Sequence, residues 1–166
     1  MGYHVGVDLG TTYTAAAIAA QGRLEMATLG AANPVMPSVL LLRADGDVLV
    51  GEAAARRGVG EPQRVAREFK RRLGDPTPLL LGGTPYGAEA LMGRLLRAVL
   101  AVIREREGEP PAGVVLTHPA SYGPYKLDQM RQVASVAGLD PATVTLLTEP
   151  QAAAISYASR NRVDDG

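Results

Sequence analysis

The sequence predicts an α/β fold: a mixed sheet with helices on it and a smaller α/β unit inserted into the chain. Three observations lead there. Residues 3–28 alternate apolar runs with tight-turn residues, the pattern of antiparallel hairpins. From residue 113 onward the pattern becomes strand, helix, strand, helix. Between the two, residues 33–112 contain their own short strands, turns and helices, so the expected division is a core of 1–32 and 113–166 with 33–112 inserted.

The elements follow from local chemistry. Residues 3–8 form an apolar run that reads as a buried strand, closed by a turn at Gly10-Thr11-Thr12. Residues 13–20 are a second strand, in spite of their alanines, because Gln21-Gly22 supplies a two-residue hairpin turn into a third at 23–28. Pro34 and Pro37 interrupt the chain before a strand at 38–42, and Asp45-Gly46 turns it into another at 48–50. Helices are expected at 52–57 and 62–73, the second because Val65, Phe69 and Leu73 fall four apart. Gly74-Asp75-Pro76 ends it, and Gly82-Gly83 joins a hairpin of 79–81 and 84–86. A long helix at 88–107 has Leu91, Leu95, Val99 and Val102 as its inner face, with Arg94, Arg97 and Arg104 outside. After a turn at 108–113 come a strand at 114–117, a helix at 125–137, a strand at 144–147 and a helix starting near Glu149. The polar residues 160–166 read as a frayed tail.

Composition narrows the function. Of 166 residues, 46% are hydrophobic, enough for a core, and with one Phe and no Trp that core must be aliphatic. The formal net charge is zero, so no overall basic field would attract nucleic acid. No cysteine is present, which rules out disulfides and thiolate metal sites. The start, MGYHVGVDLG, has neither a basic leader nor an apolar signal segment, and the longest apolar runs are far short of a membrane span. A cytoplasmic protein without nucleic-acid or membrane partners is expected.

The residues best suited to chemistry are Asp8, Gly10, Thr11, Thr12 and Tyr13, where a carboxylate ends a strand and a glycine and hydroxyls follow. A glycine lets a phosphate approach the backbone, and turn N–H groups and Thr hydroxyls donate to its oxygens. A carboxylate beside phosphate needs a cation between them, which implies magnesium held through water. Neither a Gly-Lys-Ser/Thr loop nor a GxGxxG is present, and the same residues also suit a plain hairpin turn. Lys70, Arg71 and Arg72 cannot all face one cleft if helical, and a solvated basic face with a Glu68–Arg72 pair is the simpler account. Thr148-Glu149-Pro150-Gln151 has the form of a capping box, and Glu149 also suits the task of orienting a water beside a phosphate. His4 and His118 have no partner at metal-ligand spacing, and Ser121 lies in no nucleophile elbow.

Taken in order, GVDLGTTYT, NPVMPSVL, DVLVGEAA, EFKRRLG, VVLTHPASY, VASVAGLD and LLTEPQAAAISY resemble the ATPase domain of the heat-shock protein 70 (DnaK-type) family, over about residues 3–157. The resemblance implies the first lobe of an actin-like (ribonuclease H-like) ATPase. It places the family's catalytic lysine on Lys70 and its catalytic glutamate on Glu149, with Thr148 where Asn is usual. It implies ATP or ADP with magnesium at Asp8, Gly10, Thr11, Thr12 and Tyr13, with potassium as a further cation. It also implies a relay from nucleotide to partner domain through Pro119, where the following helix carries Leu127 in place of the family's arginine. A second phosphate loop, a second lobe and a peptide-binding domain are expected beyond Gly166, with co-chaperones and client peptides as partners of the whole protein. The chain alone is expected to be inactive and to self-associate through an uncovered sheet face. A carbohydrate kinase on the same fold, or an actin-like filament or scaffold protein, are the alternatives.

Overall fold

The computed structural model describes residues 2–30 and 33–148. Its main sheet has six strands in the order β11 (Val144–Thr148), β10 (Gly113–His118), β1 (His4–Leu9), β2 (Tyr13–Ala20) and β3 (Arg23–Met26), with β4 (Val35–Pro37) on the free part of β2. Strands β1 (His4–Leu9), β2 (Tyr13–Ala20) and β3 (Arg23–Met26) form the expected antiparallel meander. The turn between β2 and β3 has positive φ at both Gln21 and Gly22, which matches the right-handed twist of the strands it joins. Strand β10 (Gly113–His118) lies parallel to β1, and β11 (Val144–Thr148) lies parallel to β10. The sheet is therefore mixed, as its sequence pattern predicted.

Alternation sends Val5, Val7, Leu9, Ala16, Ile18, Val114 and Leu116 to one face, where they are buried in a single core with Leu91, Leu95 and Val99. Helices α2 (Ala88–Glu107) and α3 (Pro124–Val136) supply that cover and pack on each other. The buried face of α2 is wider than predicted. Met92, Leu96, Leu100 and Ile103 are buried as well, and Val102 is only half-buried, because α2 serves both the sheet and α3. Gly93 marks the closest approach: a Cβ there would lie 2.9 Å from the Val133 carbonyl oxygen.

A second sheet, β6-β5-β7, is built from β5 (Val39–Leu42), β6 (Val48–Val50) and β7 (Val65–Arg67), with α1 (Gly51–Gly58) packed on it. All of β5 is buried because its alternate residues enter different cores. Leu40 and Leu42 join the main core, whereas Val39 and Leu41 pack with Ala54 in a smaller one. The hairpin β8 (Leu79–Leu81) and β9 (Thr84–Tyr86) is as expected.

Two local expectations fail. Residues 62–73 are not one helix: a 3₁₀ turn at Pro62–Arg64 leads into β7, and a second 3₁₀ turn occupies Phe69–Arg72. Val65-Ala66-Arg67 instead completes a ladder with Leu41, Leu40 and Val39, so tertiary pairing overrides the helical spacing. The Glu68–Arg72 pair falls with it. A 3₁₀ turn aligns residues three apart, so Arg71 meets Glu68 at 3.6 Å and Arg72 meets Asp75 at 3.3 Å. The prolines expected only to interrupt the chain bound a strand instead: Pro34 precedes β4 (Val35–Pro37) and Pro37 is its last residue, paired with Tyr13 at a sheet edge where proline is tolerated. The expected last helix, the capping box beyond Thr148 and the tail lie outside the described residues.

Candidate functional site

Asp8 sits near the end of β1, on the face opposite α2 and α3, and its side chain is exposed. The Thr117 hydroxyl, from the neighbouring β10, reaches Asp8 Oδ1 at 3.4 Å, too long for a strong bond. Most of the carboxylate's accepting capacity is therefore left to solvent. The turn of Gly10, Thr11 and Thr12 follows directly, with Thr12 exposed and Tyr13 56% exposed at the start of β2. Gly10 is required by this turn, since a Cβ on it would collide with the Tyr13 carbonyl oxygen.

Two residues not singled out from the sequence hold the turn from below. Ser38 Oγ donates to the Gly10 carbonyl at 2.7 Å, and Ser38 N donates to the Thr12 carbonyl at 2.8 Å. Thr14 Oγ1 lies 2.8 Å from Ser38 Oγ, and both residues are buried. A serine hydroxyl has one proton. Since that proton goes to Gly10, Thr14 must be the donor in its bond to Ser38. The sequence signals were faint: one hydroxyl among the alanines of β2 and one just before the apolar β5.

Lys70 lies on the 3₁₀ turn after β7, half-buried, and its ammonium has no ion pair or hydrogen bond among the described residues. Its neighbours Arg71 and Arg72 are engaged with Glu68 and Asp75, and Arg72 also donates to the Thr77 carbonyl at 2.9 Å. Glu68 makes the bend possible by adopting φ 52° and ψ 27°, a left-handed conformation that costs a non-glycine residue about 1–3 kcal/mol. The Thr77 amide and the Arg72 guanidinium beside it hold the Asp75 carboxyl below the usual aspartate range, the amide bond most strongly.

Pro119 follows β10, half-buried, and its carbonyl accepts from the Tyr122 amide at 3.1 Å. The His118 ring stacks on Tyr122 at 5.9 Å, and burial pushes the Tyr122 phenol up. Lys126 Nζ lies 5.1 Å from the Tyr122 ring centroid, so its charge is engaged there and is not free to replace an arginine at Leu127. Leu127 is half-buried in the first turn of α3. The segment after Lys70 packs on this turn: a Cβ at Gly74 would meet Tyr125 at 3.3 Å and the Lys126 stem at 3.7 Å. Glu149 lies outside the described residues.

The sheet face that carries Asp8 is bare among the described residues. Gly6, Ala15, Ala17 and Ala19 give it little relief, and with Leu24, Met26, Val115 and Leu147 they line an apolar groove of about 440 Å³ that ends at Asp8 and Thr117.

The fold fits a class, the first lobe of the actin-like ATPase fold. Similarity to known proteins is specific within it. The Hsp70 protein family matches residues 4–78. The chaperone protein DnaK of Cenarchaeum symbiosum (strain A) is 31% identical over 159 residues, covering 92% of this chain and 24% of the relative. Those of Elusimicrobium minutum (strain Pei191) and Endomicrobium trichonymphae are 32% and 30% identical, each over 92% of this chain and 25% of the relative. The chain is thus similar to Hsp70/DnaK proteins along nearly its whole length, and it spans about a quarter of the length of these relatives.

Proposed function

We propose that this chain supplies one wall of the nucleotide site of a chaperone ATPase, in which ATP hydrolysis drives a conformational change. The observation that carries this is the Gly10-Thr11-Thr12 turn, held from below by buried hydroxyls and open to solvent beside the exposed Asp8 carboxylate, whose one partner among the described residues is the long Thr117 bond. Turn amides and the Thr11 and Thr12 hydroxyls would donate to phosphate oxygens, with Tyr13 at the rim. Asp8 suits a hydrated magnesium ion, because it is exposed and no group of three or more acidic or histidine side chains among the described residues forms a direct cage. Magnesium bound there would neutralise phosphate charge, and potassium is a further candidate cation. Lys70 would stabilise charge on the transferred phosphoryl group, and Glu149 would position the attacking water. Pro119 and Leu127 would form the path toward a partner domain.

The relatives are named as chaperones, which supports a second lobe, client peptides and co-chaperones as partners of the whole protein and favours neither a carbohydrate kinase nor a filament protein. No helix among the described residues is long and apolar enough to cross a membrane, and a cytoplasmic location belongs to the same proposal. So does the two-part division. The separate β6-β5-β7 sheet supports an inserted unit at 33–112, although α2, within those limits, packs on α3. The open groove on the Asp8 face supports self-association of the chain on its own.

The test is Mg-ATP hydrolysis by the full-length protein, with Lys70→Ala and Glu149→Ala beside it, and calorimetry on this chain alone. Hydrolysis lost in both variants, with millimolar or no binding by the isolated chain, is expected. An inert full-length protein, or variants as active as the parent, would overturn the assignment.

A further inference from the structure

We propose that Ser38 is a positioning residue that fixes the phosphate-type turn and the Lys70 segment relative to each other. The proposal rests on the nucleotide reading of those two segments and adds the part that joins them. Ser38 grips the turn twice, through its hydroxyl on the Gly10 carbonyl and its amide on the Thr12 carbonyl. The next residue, Val39, begins β5 and pairs with Arg67, the last residue of β7. Lys70 follows three residues later, after the bend at Glu68. One serine is thus bonded to the turn on one side and continuous with the lysine's ladder on the other.

The hydroxyl bonds form a directed chain: Thr14 donates to Ser38, and Ser38 donates to Gly10. Each member polarises the next, and the two hydroxyls are shielded from water, since Thr14 is fully buried and Ser38 nearly so. This goes beyond what the backbone needs. The β1–β2 hairpin already closes through its own ladder, from His4↔Ala19 to Leu9↔Thr14. The β4 pairing with Tyr13–Ala15 brings the start of β5 beside the turn, and what the hydroxyl chain adds is a side-chain bond from Ser38 to the Gly10 carbonyl that fixes the tip of the turn against β5, an element of the other sheet.

The experiment is hydrogen exchange on the nucleotide-free full-length protein, with steady-state Mg-ATP hydrolysis alongside. Ser38→Ala leaves the Gly10 carbonyl and the Thr14 hydroxyl without their partner. Exchange at the amides of residues 11–13 and 69–72 is expected to rise together, by roughly tenfold, with β10 amides unchanged. In the same variant kcat should fall about tenfold with a much smaller change in KM, since misplacement acts on the reacting geometry. Ser38→Thr, which keeps the donor, should restore kcat. Should Ser38→Ala not fold, Thr14→Val decides the matter: it removes only the donor to Ser38 and should give the same paired rise at smaller amplitude. A rise confined to residues 11–13, a uniform rise that includes β10, or none overturns the proposal. A full-length protein that never hydrolyses Mg-ATP overturns the nucleotide reading instead, and the paired rise in exchange still decides whether Ser38 joins the segments.

Discussion

The turn at residues 10–14 and the segment at residues 65–77 are both expected at phosphate, yet they are held in opposite ways. The turn rests on buried hydroxyls and on a glycine that cannot be replaced without collision. Beyond its ladder with β5, the Lys70 segment is pinned by Phe69 and Leu73 in the core, while its side-chain polar contacts are exposed ion pairs and exposed bonds to Thr77, and its bend is strained at Glu68. Exposed pairs contribute about 0–1 kcal/mol each, whereas a buried hydroxyl that loses its partner costs about 1–3 kcal/mol. The proposed binding element is therefore rigid by construction, and the segment proposed to bring the charge is adjustable. A group that must meet a phosphoryl oxygen only during transfer suits the second kind of support.

The sharpest way to break this contrast is a paired substitution. Gly10→Ala should lose both stability, by about 1–3 kcal/mol, and nucleotide binding, because the turn must open to admit the methyl group. Lys70→Ala should leave the midpoint of denaturant unfolding within about 0.5 kcal/mol of the parent while the full-length protein's kcat falls about 100-fold or more. Equal loss of stability in the two would mean that the lysine segment is as tightly built as the turn.

Glu68 offers a smaller test in the opposite direction. Glycine adopts positive φ without penalty, so Glu68→Gly should stabilise the fold by up to about 1 kcal/mol in urea unfolding, less what the Arg71 pair contributes. A net loss would show that the pair, exposed as it is, outweighs the strain. Leu127→Arg probes the far side of the segment, where Gly74 packs beside Tyr125 and Lys126. Leucine cannot donate the forked bonds of a guanidinium, so the variant should raise partner-stimulated turnover of the full-length protein several-fold with basal turnover little changed. Strong stimulation in the parent and none added by Leu127→Arg would remove Leu127 from the path.

What the sequence disclosed follows the same division. The hairpins were legible because their turns need particular residues: Gln21-Gly22 at positive φ, and Gly10 against Tyr13. The parallel strands and their helices were legible from apolar runs and period. The Lys70 segment misled because Val65, Phe69 and Leu73 happen to fall at helical spacing, although Val65 packs in the small core and the other two in the large one. Only the pairing of β7 with β5, some 25 residues away, distinguishes the two cases, and no local pattern encodes it. Thr14 and Ser38 were hidden for a related reason: a hydroxyl at a buried position looks like any polar residue until its partner is known.

The smallest effect concerns Asp75, which closes the Lys70 segment by accepting from the Thr77 amide at 2.9 Å and from Arg72 at 3.3 Å. Its carboxyl is held below the ordinary aspartate value, with the Thr77 amide as the largest cause and the Arg72 charge a lesser one. A depressed folded-state pKa means that the contribution is complete above the unfolded value, ~3.9, and is lost as pH falls through the lower folded value. At neutral pH the closure is therefore intact, and only acid should release it. NMR titration of the Asp75 carboxyl should give a midpoint below that of a free aspartate, with the Thr77 amide shifting in step. Because a hydrogen bond dominates, Arg72→Ala should move the midpoint only part of the way back, and added salt should change it little. If Arg72→Ala restores the ordinary value in full, the ion pair governs this loop, and the segment's exposed charges hold it more firmly than their solvent exposure implies.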